Sequence, residues 1–115
     1  MKPRLLDLFC GAGGCTKGYQ RAGFWVRGVD LEPQSRYVGE EFVRTEALGY
    51  LRDLIDSNEI KEFDVIHASP PCQDYTPMRF VTKKRYPRLL DATRELLIEA
   101  DLPYVMENVS GMVKG

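Results

Sequence analysis

Short apolar runs alternate along this chain of 115 residues with longer stretches in which apolar side chains recur at helical spacing. The apolar runs are rich in aromatic and β-branched residues and end at Gly, Pro or Asp, which is typical of buried strands. We predict five strands, over residues 4–10, 24–30, 42–45, 63–69 and 103–109.

The stretches between these runs predict four helices, over residues 15–22, 33–41, 46–57 and 87–100. In the third, Leu48, Leu51 and Leu54 recur at the spacing of an amphipathic helix. Pro33 suits the first turn of the second helix, where the amide hydrogen that proline lacks has no partner. Residues 74–86 are polar and basic, and we predict a loop there.

The alternation of strands and helices predicts a parallel sheet covered on both faces and joined by right-handed crossovers. We therefore expect one α/β domain over residues 1–115, with a doubly wound, Rossmann-like fold. The sequence stops soon after the fifth predicted strand without another helix. We expect a domain that is incomplete at its carboxyl end.

The composition is that of an ordinary globular protein, with 43% hydrophobic residues, 29% charged residues and a formal net charge of -1. Acidic and basic residues nearly balance, so the chain lacks the excess of basic residues that many nucleic-acid-binding proteins carry. No apolar run approaches a membrane span, and the amino-terminal run is too short for a signal peptide and contains Asp7. We expect a cytoplasmic protein of a bacterial or phage-like host, without membrane contact.

The three cysteines, Cys10, Cys15 and Cys72, lack the paired spacing of a zinc site or a redox motif. Their odd number suits a reduced compartment. We expect no metal site, and we expect Cys10 and Cys15 to be small packing residues beside the glycines. His67 lies inside a predicted strand, so we expect a residue of the core or of the sheet surface.

Candidate functional residues fall at the carboxyl ends of the predicted strands, where ligands bind in open α/β sheets. The first group is the glycine-rich DLFCGAGG, residues 7–14. Gly11 and Gly13 allow a sharp turn and a close approach to a ligand, and the following helix offers free amide donors. A turn that only joins strand to helix is the competing interpretation.

Two acidic residues follow the next strands. Asp30 ends the second strand, as does the acid that binds a ribose in nucleotide-binding sheets. An Asp at this point is also a common turn former or helix cap. Glu46 follows the third strand and could accept a hydrogen bond from an adenine amino group. A helix dipole that favours an acid in the first turn would also explain it.

Cys72 stands in SPPCQ, after the fourth predicted strand. Its two preceding prolines stiffen the turn and would present the thiol beyond the strand end. The basic residues Arg79, Lys83, Lys84 and Arg85 could stabilise a thiolate or contact phosphates. A small buried apolar residue is the alternative reading of an isolated cysteine.

Glu107 closes the fifth predicted strand within ENV. A carboxyl group that follows the apolar run PYVM is at risk of desolvation, which suits it to hold or donate a proton. A buried structural glutamate paired with an arginine is the competing account.

Together, DLFCGAGG, AGFWVRGVD, SPPCQ and ENV resemble, in this order and spacing, the DNA cytosine-5 methyltransferase family over nearly the whole chain. The resemblance implies that Phe9, Gly11, Gly13 and Asp30 bind S-adenosylmethionine. Glu46 matches the acid that receives the adenine. Asp53 is a rival for this role, but it lies in the middle of the third predicted helix, away from the strand ends.

The resemblance also implies the chemistry. Cys72 matches the nucleophile that adds to carbon 6 of cytosine, and Glu107 matches the acid that engages ring nitrogen 3. Carbon 5 then takes the methyl group from the cofactor. The partner is duplex DNA whose target cytosine is flipped into the pocket.

The family continues past ENV with a further catalytic motif, a target-recognition region and a last helix, none of which lies in these 115 residues. One alternative is therefore a truncated, non-catalytic remnant that binds the cofactor or a partner. A missing carboxyl-terminal half or a second subunit would complete the enzyme. RNA cytosine methylation is a third reading, against which the cysteine arrangement argues.

Overall fold

The computed structural model describes residues 1–71 and 85–107. Its five strands are β1 (Arg4–Leu8), β2 (Trp25–Asp30), β3 (Glu41–Arg44), β4 (Val65–Ala68) and β5 (Tyr104–Met106). Its three α-helices are α1 (Gly14–Arg21), α2 (Ala47–Ser57) and α3 (Arg85–Ala100), and a short 3₁₀ helix covers Glu59–Glu62.

The strands form one parallel sheet in the order β3-β2-β1-β4-β5. All carboxyl ends therefore meet at one edge. The order reverses between β1 and β4, and such a switch point is where doubly wound sheets bind ligands. The predicted Rossmann-like α/β fold is confirmed.

The two faces of the sheet differ in chemistry. One face carries Leu6, Leu8 and Ile66 toward a fully buried apolar core. The helices supply the rest of that core, including Leu51 and Leu54 of α2 and Leu97 of α3. Each such leucine contributes roughly 1.5–3 kcal/mol on burial.

The opposite face, beside α1, is polar near its carboxyl end. Asp7 of β1 and His67 of β4 are register partners on this face, and both are almost fully buried. Thr16 of α1 is buried against them. The polar groups thus lie under the sheet edge where the candidate residues converge.

The helix predicted over residues 33–41 is wrong, because that segment consists of turns and bends before β3. The Glu40 amide donates to the Val26 carbonyl, and the Glu40 carboxylate accepts from the Val26 amide, so the segment is drawn onto the edge of β2. Tyr37 packs its ring over Gly28. These long-range contacts outweigh the local preference of Pro33 for the first turn of a helix, and Gly39 lowers the helix propensity of the segment.

Other predicted boundaries differ by a few residues. β1 ends at Leu8 rather than at residue 10, and α3 begins two residues earlier than predicted. β5 covers Tyr104–Met106, while residues 108 and 109 of the predicted strand lie outside the described part of the chain. Within the described ranges, every helix is too short or too polar to cross a bilayer.

Candidate active site

The glycine loop leaves β1 through three residues of positive φ. Phe9, Gly11 and Gly13 have φ values of 60°, 56° and 106°. A non-glycine residue in this region is strained, so Phe9 is held there by its surroundings. Among the described residues, none would lie within 4 Å of a Cβ added at Gly11, which leaves open space beside the loop, whereas a Cβ at Gly13 would press on Val38.

Asp30 connects this loop to the end of β2. Its Oδ2 accepts from the Gly11 amide at 2.8 Å, and its Oδ1 accepts from the Glu32 amide at 3.0 Å. A carboxylate has about four acceptor positions, so each oxygen can accept one more hydrogen bond. Asp30 therefore fixes the loop and retains capacity for a ligand hydroxyl.

Glu46 is the amino-terminal cap of α2. Its Oε2 accepts from the Leu48 amide at 2.9 Å and its Oε1 from the Gly49 amide at 2.8 Å. This is a helix-terminal role, the alternative that the sequence allowed. The contact of Glu46 with the adenine amino group stays a prediction. Asp53, the rival for that contact, is exposed within α2.

Glu107 lies directly after β5 and beside the end of β4. Its amide donates to the Ala68 carbonyl at 2.9 Å, and its side chain is 53% exposed. Its Oε1 lies 3.3 Å from Ser69 Oγ, 3.4 Å from His67 Nε2 and 3.8 Å from Cys15 Sγ. Three elements, α1, β4 and β5, thus converge on one carboxylate oxygen.

His67 is the buried centre of this group, as expected of a core residue, with a side chain only 2% exposed. Its Nδ1 lies 2.7 Å from the Tyr19 hydroxyl, and its Nε2 lies 2.8 Å from Ser69 Oγ. One donor atom from each of Cys15, His67 and Glu107 lies within 4.8 Å of the others, a spacing that could hold a metal ion. Because both ring nitrogens have protein partners, the contacts describe a hydrogen-bond network.

A buried acid lies next to this network. Asp7 is 1% exposed, and its Oδ2 accepts from the Thr16 hydroxyl at 2.6 Å. Burial raises the pKa of the Asp7 carboxyl, an effect that the Thr16 hydrogen bond and the nearby His67 partly offset. Tyr37 extends the group, because its hydroxyl lies 2.9 Å from Thr16 Oγ1.

The two described cysteines have different environments. Burial, followed by the charges of Asp7 and Asp30, raises the pKa of the Cys10 thiol to about 12. Cys15 is exposed, so the prediction that it is a small packing residue beside the glycines is wrong. Burial and then the charge of Glu107 raise the pKa of its thiol.

Cys72, the predicted nucleophile, lies outside the described residues, as do Arg79, Lys83 and Lys84. The described chain runs to Pro71, two residues beyond Ser69. Ser69 and Cys15, which contact Glu107, and Tyr19, which contacts His67, were not predicted from the sequence. One pattern could have suggested Ser69: on a strand, residues 67 and 69 point to the same face.

The fold and these residues define a class of protein: a doubly wound domain with a glycine-rich turn, an acid after β2 and a carboxyl group at the carboxyl edge of the sheet. A family model described as C-5 cytosine-specific DNA methylase matches residues 3–115. The chain belongs to this family.

Three relatives are type II enzymes of bacteria. Methylase M.HgiDII of Herpetosiphon aurantiacus is 32% identical over 79 residues, 63% of this chain and 22% of the relative. Methyltransferases M.NgoPII of Neisseria gonorrhoeae and M.FnuDI of Fusobacterium nucleatum are 26% and 28% identical over 116 aligned residues, 96% of this chain. The matches span 34% and 33% of those two relatives. The chain therefore covers at most about a third of these relatives.

Solved structures show the same fold at lower identity. A SAM-dependent methyltransferase from Agrobacterium tumefaciens has a TM-score of 0.51 and 17% identity, covering 62% of this chain and 26% of the other. A short-chain dehydrogenase from Leptospira borgpetersenii, with bound NAD+, has a TM-score of 0.51 and 14% identity, covering 88% of this chain and 44% of the other. These likenesses establish the architecture.

Proposed function

We propose that this chain provides the cofactor site and the reacting residues of a DNA cytosine-5 methyltransferase. The observation that carries the proposal is the convergence of β4 and β5. Glu107 lies against the end of β4, from which the sequence continues through Pro70 and Pro71 to Cys72. Family membership gives these two residue types their expected roles.

The residues at the carboxyl edge of the sheet fit S-adenosylmethionine, which supplies an electrophilic methyl group when bound. Open space beside Gly11 leaves room for a ligand against the glycine loop. Asp30, whose oxygens can each accept one more hydrogen bond, would bind the ribose hydroxyls. Phe9 and Gly13 would shape the loop, and Glu46 would receive the adenine amino group.

The proposed reaction begins with the Cys72 thiolate. Cytosine carbon 5 is a weak nucleophile, so the thiolate adds to carbon 6 and forms an S–C6 bond, while Glu107 neutralises charge at ring nitrogen 3. Carbon 5 would then take the methyl group of S-adenosylmethionine, with cleavage of its S–CH3 bond and release of S-adenosylhomocysteine. Loss of the carbon 5 proton and cleavage of the S–C6 bond release 5-methylcytosine and the thiolate.

The proposed substrate is duplex DNA with the target base flipped out of the stack. The Glu107 side chain is 53% exposed, so the desolvation expected from its position after an apolar run is not observed, and the exposed carboxyl group is accessible to an incoming base. The formal net charge of -1 on this chain suggests that much of the DNA contact is made elsewhere in the enzyme.

A covalent trap tests the proposal. The full chain, with and without any polypeptide encoded beside it, is incubated with labelled S-adenosylmethionine and duplex DNA containing 5-fluorocytosine. Fluorine at carbon 5 blocks the proton loss, so the enzyme stays bound through its S–C6 bond. We expect an adduct in the unsubstituted protein and none in Cys72→Ser.

Cys10→Ser is the matched control, because it removes a thiol but keeps the one that reacts, so an adduct should still form. An adduct that survives Cys72→Ser would contradict the assignment of the nucleophile. Calorimetry with S-adenosylmethionine separates the alternatives: cofactor binding without transfer would support a non-catalytic remnant, and absence of binding would contradict both readings.

A further inference from the structure

We propose that His67 and Ser69 are positioning residues, which hold Glu107 so that its outer oxygen, Oε2, carries the proton presented to the base. This inference rests on the function proposed above, because it assigns Glu107 the role of the acid. It adds a chain of hydrogen bonds behind the carboxyl group, which runs from Ser69 through the buried His67 to the half-buried Tyr19 of α1.

The first step is the asymmetry of the contacts around Glu107. The contacts from Ser69, His67 and Cys15 in the described part of the chain all reach Oε1. A glutamate side chain that is 53% exposed would otherwise sample several rotamers. The contacts to one oxygen reduce that freedom and orient the plane of the carboxyl group.

The second step is the direction of the hydrogen bonds. Ser69 donates its hydroxyl hydrogen to Glu107 Oε1, so its oxygen must accept from His67 Nε2. The ring hydrogen of neutral His67 is then on Nε2, which leaves Nδ1 to accept from the Tyr19 hydroxyl. Burial raises the pKa of Tyr19, which keeps this hydroxyl protonated as a donor.

The consequence concerns the location of the acidic proton. An oxygen that already accepts from a hydroxyl is a poor place for a further hydrogen, so a proton on Glu107 occupies Oε2. The chain Tyr19 to His67 to Ser69 thus selects which oxygen faces the base. Its centre is rigid, because His67 is 2% exposed and also packs edge-on against the Tyr19 ring.

Matched variants at His67 and Ser69 test this role in the full chain. His67→Gln keeps an N–H donor near the position of Nε2, whereas His67→Asn keeps one only near Nδ1. Ser69→Thr keeps the hydroxyl that Ser69→Ala removes. We expect His67→Asn and Ser69→Ala to lower kcat for methyl transfer by about tenfold, with the KM for S-adenosylmethionine unchanged.

We expect His67→Gln and Ser69→Thr to retain most of the rate, which a merely structural role would not predict. Thermal unfolding of all four variants identifies any that lose rate through misfolding. Equal rates within each matched pair, in an active and folded protein, would overturn the positioning role while leaving the proposed function intact.

A second readout does not depend on activity. His67 is the only histidine in the sequence, so its ring nitrogens give a single set of NMR signals. We expect the tautomer with hydrogen on Nε2, and a shift of the Nε2 signal in Ser69→Ala and in Glu107→Gln. Hydrogen on Nδ1 would overturn the proposal, even if the adduct assay supports the proposed function.

Discussion

The Gly11 amide donates to Asp30 Oδ2 at 2.8 Å, and this hydrogen bond joins the loop after β1 to the end of β2. The same carboxylate accepts from the Glu32 amide. One side chain thus holds both backbone segments between which a nucleotide-like ligand would lie. Its substitution should affect the ligand site more than the core.

We predict that Asp30→Asn weakens S-adenosylmethionine binding by about tenfold or more, because hydrogen bonds to a charged acceptor contribute roughly 1.5–3 kcal/mol. An amide keeps one acceptor oxygen, so either the loop or the ligand loses its partner. Isothermal titration calorimetry gives the Kd directly.

Asp91→Asn is the matched control, since it removes one negative charge from an exposed position in α3. We expect its Kd to equal that of the unsubstituted protein. A larger effect at Asp91 than at Asp30 would contradict the placement of the cofactor at the carboxyl edge of the sheet.

The ring of Tyr37 covers the backbone of β2 at Gly28, where an added Cβ would overlap the ring. We predict that Gly28→Ala lowers the free energy of unfolding by about 1–3 kcal/mol, the usual cost of an overpacked site. The ring cannot simply move aside, because its hydroxyl is hydrogen-bonded to Thr16 and it also covers Gly39. Urea denaturation measures the change.

Gly18→Ala provides the contrasting control. Gly18 lies inside α1, and a Cβ there would have no atom within 4 Å in the part of the chain that the structure describes, so the substitution should stabilise the protein by up to about 1 kcal/mol. Removal of the ring in Tyr37→Ala should make the Gly28→Ala change much less costly. If Gly28→Ala lowered the free energy of unfolding equally with and without Tyr37→Ala, the overlap between the added Cβ and the Tyr37 ring would not be the cause of the lost stability.

Local pattern predicted most of this fold because each strand and helix carries its own periodicity. The five strands and three of the four predicted helices are present, and they follow one another along the chain in the predicted sequence. The segment around Tyr37 could not be predicted this way, since its conformation depends on Gly28 and Thr16, which are distant in sequence. Pro33 favoured a helix locally, and tertiary contacts overrode it.

The candidate site was only partly predictable for the same reason. Asp30 and Glu107 follow strands, so position along the chain was enough to find them. The contact between Glu107 and Ser69 requires β4 and β5 to be neighbours in the sheet, and that between Glu107 and Cys15 requires α1 to lie on the same face. Strand order and helix side are long-range properties that periodicity does not determine.

Asp7 should make stability depend on pH. Burial raises its pKa in the folded state above the value of 3.8 for an unperturbed carboxyl, so the folded protein binds this proton more tightly than the unfolded chain. Its contribution to stability therefore falls as the pH rises from about 4 through the raised pKa, and the loss is complete above it. Thr16 and His67 oppose this shift, whereas Glu107 and Asp30 add to it.

We predict that Asp7→Asn, which keeps an oxygen to accept from Thr16, is more stable relative to the unsubstituted protein at about pH 8 than at about pH 3, which lies below the unperturbed value of 3.8. Denaturant unfolding at both pH values gives the comparison. Asp53→Asn, at an exposed position, should show no such divergence. A stability difference for Asp7→Asn that is the same at both pH values would contradict the raised pKa.

The Cys10 thiol should resist alkylation. With a pKa of about 12, only about one part in ten thousand is thiolate near pH 8, and the thiolate is the nucleophilic form. We predict that iodoacetamide labels Cys10 more slowly than the exposed Cys15, as followed by mass spectrometry of peptides over time. Unfolding in urea should remove the difference, because burial and the neighbouring charges of Asp7 and Asp30 cause it. Labelling of Cys10 at the faster rate in the folded protein would contradict the raised pKa of its thiol.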